Sequence, residues 1–354
     1  VEFADFVRAV SRSRTKKGCY FSFGAPFPKQ VLSVWVPDEI YYQLPRDPGL
    51  LGRKVRIKGR LESSSTGPMV TLASADDFEL FEVADAMLSK SFLDARKDRD
   101  QFMAAVSQTF WREDFTTLEQ LARELDESHE RFSDGTWILS AFFQALEVNK
   151  DESDERFAEA LKKMERWLGS QPASATAVIA QAGYHLDLAS HVGAADTPAA
   201  QEEFKRETTA CRRLLEANPG AKVVPEYFVK MEKVAYDQGW TREAFFRLFD
   251  EGIGRERDYY STYFQAAHFL LHGPRPEKGG WERFAEEQRQ ARGPGGEGDV
   301  LYTRIAWSMS VHWRNLFSNS AVSWETMAAG FDRLMQQYPE SRWLKNSYTN
   351  FAPT

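Results

Sequence analysis

The spacing of apolar residues changes once along this chain, near residue 83, and that change limits the folds open to it. Before it, apolar and polar residues alternate, as in CYFSFG, where Phe21 and Phe23 lie opposite Tyr20. A period of two is typical of strands that cover one side of a core. After it, TTLEQLARELDESHERF and similar runs repeat their apolar residues every three or four positions, the period of an amphipathic helix. The sequence therefore predicts a multidomain α+β protein, with a β domain over residues 1–82 and an α-helical domain over residues 83–354.

Five short strands, separated by turn signals, are predicted in the β domain. The run RKVRIKGRLE, for example, places one set of side chains opposite another: Val55, Ile57 and Leu61 against Arg56, Lys58 and Arg60. APFP and DPGLLG are predicted breaks, because proline does not fit a central strand. Strands this short and this evenly spaced are typical of a small closed barrel or sandwich.

The motifs of the β domain resemble those of a bacterial OB-fold module. GCYFSFG, FPKQVLSVWVPDEI and LLGRKVRIKGRLE…GPMVTLAS carry the resemblance, which covers about residues 5–82. The positions that match the family pattern are Phe23-Gly24, Phe27-Pro28, residues 52–59 and Gly67-Pro68. The resemblance implies an OB-like β-barrel, a fold that serves many functions.

The sequence of the helical domain predicts an array of helical repeats. Its predicted helices are joined by short turns, and several end at a proline, as in EANPG and QYPES. FTTLEQLARELDESHERFSDGTWILSAFFQALE, HGPRPEKGGWERFAEE and YPESRWLKNSYTNFA are similar to a tetratricopeptide-like helical domain of unknown function from bacterial hypothetical proteins, over about residues 100–352. This resemblance implies a scaffold and carries no assigned chemistry.

The best candidate ligand face lies in the β domain. Residues 1–82 hold 12 Lys and Arg against 10 Asp and Glu, whereas the whole chain has a net charge of −7. An OB-like sheet face would stack bases on Tyr20 and Trp35, while Arg56, Lys58 and Arg60 would meet phosphates. In the alternative interpretation, the basic residues are the solvated face of an edge strand.

Histidine and cysteine residues give little evidence of a metal site. HFLLH places His268 and His272 at i and i+4, a spacing that allows two imidazoles to share a metal, but it lacks the Glu of a metalloprotease motif. With no further ligand apparent, both residues are interpreted as structural, as are the histidines of YHLDLASH. Cys19 and Cys211 alone form no disulfide framework or zinc-binding spacing. No cofactor is expected.

These patterns favour a non-enzymatic binding or scaffold protein, in which the helical-repeat domain holds a protein partner and the barrel is a second contact module. The first alternative is OB-mediated binding of single-stranded nucleic acid, and the second is a hydrolase whose site the sequence does not reveal. No membrane span or signal peptide is predicted. The chain starts at Val1, inside a predicted strand, so the sequence predicts a truncated N-terminus and leaves the localisation unknown.

Overall fold

The computed structural model describes residues 1–13, 15–24, 28–44, 54–64, 67–80, 95–195 and 197–352. The chain divides into two compact units, residues 1–89 and 90–354. Three predictions fall wholly or mainly on residues outside the described ranges: the boundary near residue 83, the APFP break (25–28, of which only Pro28 is described) and the DPGLLG turn (47–52). The first unit contains β-strands and the second contains helices, so the mixed α+β composition is confirmed.

The described part of the N-terminal unit contains seven strands, where the sequence predicts five. They are β1 (Glu2–Arg12), β2 (Gly18–Phe23), β3 (Leu32–Pro37), β4 (Lys54–Lys58), β5 (Arg60–Ser64), β6 (Gly67–Thr71) and β7 (Phe78–Leu80), with a short helix α1 (Asp38–Tyr41) after β3. The fourth predicted strand is divided at Gly59 into β4 and β5. A Cβ at Gly59 would lie 2.5 Å from a methyl carbon of Val70 and 2.8 Å from the carbonyl oxygen of Thr71, so only glycine allows this approach to β6.

The strands follow the order β5-β6-β3-β2-β1-β4-β7. All neighbours are antiparallel except β3 and β6, which are parallel. Strand β1 belongs to two ladders: residues 2–6 pair with β4, and residues 7–12 pair with β2, with a shift of register between Val7 and Ala9. Pairing of this kind bends a strand and lets it turn from one ladder to another.

The predicted alternation correctly identifies most of the buried face of this sheet. The core side chains that are at most 1% exposed include Phe21, Phe23, Val34, Val36, Val55 and Ile57. Leu61 differs, since it is 50% exposed. It lies on β5, the outermost strand in the sheet order, where a side chain has neighbouring strands on one side only.

The second unit is helical. Its helices are α2 (Ala95–Trp111), α3 (Phe115–Ser128), α4 (Ile138–Gln144), α5 (Asp154–Ser170), α6 (Ala175–Val192), α7 (Pro198–Ala217), α8 (Glu226–Asp237), α9 (Arg242–Arg255), α10 (Tyr260–His272), α11 (Gly280–Arg292), α12 (Glu297–Met309), α13 (Leu316–Asn319), α14 (Trp324–Gln337) and α15 (Arg342–Phe351). Many begin at a Ser or Thr whose hydroxyl accepts a hydrogen bond from a backbone N–H of the first turn, as at Ser153, Ser174 and Thr241.

Helices α4 and α8 are among those that are covered on nearly every side. The apolar α4 is buried, as its sequence predicts, with Ile138, Leu139 and Phe142 at most 1% exposed. Helix α8 is buried along most of its length, although it carries Glu226, Lys230 and Glu232, among other polar residues. Its burial removes charged groups from water, and these groups must find partners inside the protein or lose their charge.

Candidate functional site

Side chains from five neighbouring strands form one line across the N-terminal sheet. Tyr20 on β2 is directly opposite Trp35 on β3, and their ring centroids are 4.7 Å apart. Ser11 on β1 is opposite Tyr20, and on the other side Trp35 is opposite Thr71 on β6. Thr71 is in turn opposite Arg60 on β5. Residues that are opposite each other in a ladder share a face of the sheet, so Ser11, Tyr20, Trp35, Thr71 and Arg60 form a single exposed or half-buried line, the aromatic row.

A glycine and a lysine complete the surroundings of Trp35. A Cβ at Gly18 would come within 2.6 Å of two carbons of the indole ring, so the absence of a side chain there allows the ring to lie across β2. The ammonium of Lys16, on the turn between β1 and β2, lies 5.8 Å from the centre of the indole ring. Cation and ring are within the range of a cation–π contact. The aromatic row and the adjacent Lys16 therefore combine two aromatic rings with two cations, Lys16 and Arg60.

The other two predicted basic residues lie elsewhere on the sheet. Arg56 and Lys58 are on β4, beyond β1 in the strand order. Arg56 is ion-paired with Glu79 at 2.5 Å and with Glu2 at 3.7 Å, and Lys58 is 3.6 Å from Glu2. These carboxylates offset their charge. The structure therefore places Tyr20, Trp35 and Arg60 of the predicted face together and separates Arg56 and Lys58 from them.

Sequence reasoning did not assign Lys16 to the site, although a signal for it was present. The basic turn RTKKG directly precedes the strand that carries Tyr20. Within the described residues, neither Lys16 nor Arg60 has a carboxylate partner, in contrast with Arg56 and Lys58. Their charges are accordingly available to an anionic ligand.

The predicted histidine pair has a third member. His268 and His272 lie one turn apart on α10, and His312 ends the 3-10 turn Ser310–His312 that follows α12. One ring nitrogen from each of the three lies within 4.8 Å of the others, and Nε2 of His272 is 3.3 Å from Nδ1 of His312. We call these three residues the histidine cluster. His312 is forty positions from His272 in sequence, and no spacing rule connects the two.

The remaining histidines of the YHLDLASH segment take part in separate contacts. Nδ1 of His185 is 2.8 Å from a carboxylate oxygen of Glu207 on α7. His191 stacks on Phe157 and lies 2.8 Å from Asp154. The two histidines have different partners and do not converge on one point. Cys211 is buried, and burial raises the pKa of its thiol.

A group of buried charges lies around α8. The ammonium of Lys230 is 2.8 Å from Glu147 and 3.2 Å from Glu226, and the hydroxyl of Tyr259 donates to Glu226 at 2.6 Å. Burial raises the pKa of Glu226, and burial together with Glu147 raises the pKa of Asp187 to about 7. Perturbed acids of this kind occur in active sites and in structural ion-pair networks alike. Because Glu226 and Lys230 are less than a tenth exposed, we interpret this group as structural.

Two helices of the second unit border a shallow groove. It has a volume of about 350 Å³ and lies between α9 and α11. Phe246, Phe249 and Phe284 form its floor, and Arg242, Glu243, Asp250, Glu287 and Gln288 lie at its sides. Phe246 is only partly buried, so an aromatic surface is accessible there.

Comparison of the chain with protein families, with curated proteins and with solved structures finds no match. Among the described helices, none has both the length and the apolar character needed to cross a lipid bilayer.

Proposed function

We propose that this is a non-enzymatic binding protein whose N-terminal unit is an OB-like barrel that binds single-stranded nucleic acid on the aromatic row. The pairing of the strands supports the barrel. If β4 and β5 are taken as two halves of one strand bent at Gly59, the ladders run from β1 through β2, β3, β6 and β5/β4 and return to β1. OB-folds use the face of their second and third strands, with the loop between strands one and two, to bind oligonucleotides.

The aromatic row is the observation that carries the functional proposal. Tyr20 and Trp35 are on the second and third strands, and Lys16 is on the turn between the first and second. Bases stack on such rings whatever their sequence, and each stacked base contributes about 1–3 kcal/mol. Lys16 and Arg60 would neutralise phosphates on either side of the rings. This arrangement fits a short stretch of single-stranded nucleic acid that is bound without base specificity.

Fluorescence anisotropy of labelled single-stranded DNA and RNA, titrated with the full chain across a salt series, tests the proposal. Trp35→Ala should weaken binding by roughly 5- to 150-fold, the stacking contribution of one base. Replacing both Lys16 and Arg60 by Ala should reduce the slope of log K against log salt by about 1.4. Replacing both Arg56 and Lys58 by Ala removes the same charge and is the matched control.

The outcomes separate a specific face from general attraction. If replacing Lys16 and Arg60 lowers the affinity more than replacing Arg56 and Lys58, the result supports the aromatic row as the binding surface. Equal losses of affinity in the two double variants would show that binding depends only on overall charge. If the unmodified chain binds neither DNA nor RNA at low salt, the proposal is wrong.

A second candidate function is that the helical unit, as a repeat-like scaffold, holds a protein partner. The groove between α9 and α11 favours it, because a partly exposed phenylalanine between charged side chains is a suitable contact for a partner side chain. A photo-crosslinking amino acid at Gln288, compared with one at Lys162 on α5, would test it. A partner crosslinked only from Gln288 would support the scaffold, and identical products from both positions would count against it.

The hydrolase alternative stays a prediction. His185 and Glu207 provide a histidine–carboxylate contact, but Glu207 is only 7% exposed. A substrate would have to reach this contact between α6 and α7.

A further inference from the structure

The histidine cluster joins two parts of the chain through their imidazole rings. Residues four apart on a helix project from the same face, which brings His268 and His272 together on α10. His312 comes from the end of α12 and completes the group. The ring centroids are 4.8–5.6 Å apart. Three of the six histidines in the chain therefore meet at one point.

The distances among the ring nitrogens suit a metal ion. Zinc binds histidine nitrogen at about 2.0–2.1 Å, so two nitrogens of a tetrahedral site are about 3.3–3.4 Å apart. The distance from His272 Nε2 to His312 Nδ1 is 3.3 Å. One ring nitrogen of His268 lies within 4.8 Å of a ring nitrogen of each of the other two residues. Metal binding would therefore require at most two of the three nitrogen–nitrogen distances to shorten.

Groups from neighbouring elements surround His268, the least exposed member of the cluster. The pKa of His268 is lowered to about 4, first by burial and then by His272, His312 and Lys233. Lys233, on α8, is itself 3.5 Å from Asp237. Tyr236 and Trp313 cover parts of the cluster, with centroids 4.8 Å from His268 and 5.8 Å from His312.

We propose that His268, His272 and His312 bind one divalent transition-metal ion, with Zn²⁺ as the ion whose coordination they fit best. Imidazole is a ligand for zinc, copper, nickel and iron rather than for magnesium or calcium. His272 and His312 are exposed, so the fourth coordination position faces solvent and is filled by water. The ion ties the end of α10 to the end of α12. This site does not depend on the proposed nucleic-acid binding, and it is tested separately.

Metal binding by the full chain, after treatment with a chelator, provides the test. Titration with Co²⁺ as a spectroscopic substitute should give the visible bands of a four-coordinate site at one ion per chain, and Zn²⁺ should displace it. Zn²⁺ at about one hundred times its Kd should raise the Tm by roughly 5–10 °C. His272→Ala and His312→Ala should each abolish the bands and the shift in Tm. Both side chains are exposed, so the variants should fold, and circular dichroism checks that they do.

His129→Asn is the matched control. His129 is an exposed histidine outside the cluster, at φ 53°, a conformation that asparagine tolerates. It should bind Co²⁺ as the unmodified chain does. If the unmodified chain takes up no Co²⁺ or Zn²⁺, or if His312→Ala binds as tightly as the unmodified chain, the three rings are packed for structural reasons only and the proposal is wrong.

Discussion

Glu232 provides a sharp test of how this fold tolerates buried charge. It lies on α8 and is 0% exposed. Among the residues that the structure describes, neither of its carboxylate oxygens has a hydrogen-bond partner. Burial, followed by the nearby Glu226, raises its pKa well above the ordinary value of 4.5. We expect replacement by methionine, which has a similar length and no polar group, to stabilise the protein.

The magnitude follows from the two costs that the carboxyl group imposes. An unsatisfied buried polar group costs about 1–3 kcal/mol even when it is neutral. A raised pKa adds a second cost: the folded state prefers the protonated form, so stability falls as pH rises from the unfolded pKa towards the folded one. That fall is about 1.4 kcal/mol per pH unit. Glu232→Met should therefore gain about 1–3 kcal/mol below pH 4.5 and a larger amount at pH 8.

Calorimetric melting curves between pH 4 and 8.5 measure both costs, because the range begins below the unfolded pKa of the carboxyl group. In a unit of this size, each kcal/mol corresponds to about 2–4 °C in Tm. Glu232→Gln is the control, since it removes the charge but keeps a buried polar group, and it should recover only the part of the gain that depends on pH. A Glu232→Met protein that melts below the unmodified protein at pH 8 would refute the reasoning. It would show that the carboxyl group has a stabilising role.

Three further changes test other parts of the fold. Lys230→Met leaves the buried Glu226 without its cation and should cost about 3–5 kcal/mol in urea unfolding, and an unchanged midpoint would argue against the ion pair. Gly330→Ala should cost about 1–3 kcal/mol, because a Cβ there would overlap the backbone and a side chain of α12, whereas Gly254→Ala, which faces open space, should be neutral or stabilising. The pKa of Glu113 is lowered to about 2 by Arg166 and Lys163, so it contributes stability above pH 4.5 that is lost as pH falls towards 2; Glu113→Gln should lack this acid dependence in melting curves.

The sequence predicts those features that depend on local periodicity. Alternation correctly identifies Phe21, Phe23 and Val34 as core, and the apolar run of α4 correctly predicts a buried helix. Alternation also places Leu61 on the buried face, which is wrong. The pattern within one strand contains no information about whether another strand covers a side chain. The exposure of Leu61 is decided by the position of β5 at the edge of the sheet.

The candidate sites depend on contacts that are distant in sequence. Tyr20, Trp35 and Arg60 were predicted as one face, and strand register places them in one row. Arg56 shares the alternation of Arg60 and yet lies apart, because the bend at Gly59 sends the two halves of the run to different partners. His312 follows no pattern with His268, and only tertiary packing brings them together.

The divided pairing of β1 has a consequence for the exchange of its amide hydrogens. Amides exchange when the ladder around them opens, and ladders open in cooperative units. Since residues 2–6 are bonded to β4 and residues 7–12 to β2, the two ends of this one strand depend on different opening events. In the described strand order, β4 is followed by the three-residue β7, whereas β2 is followed by β3 and β6. Deuterium should therefore enter the first half of β1 well before it enters the second, with the change in rate falling at the bulge between Val7 and Ala9.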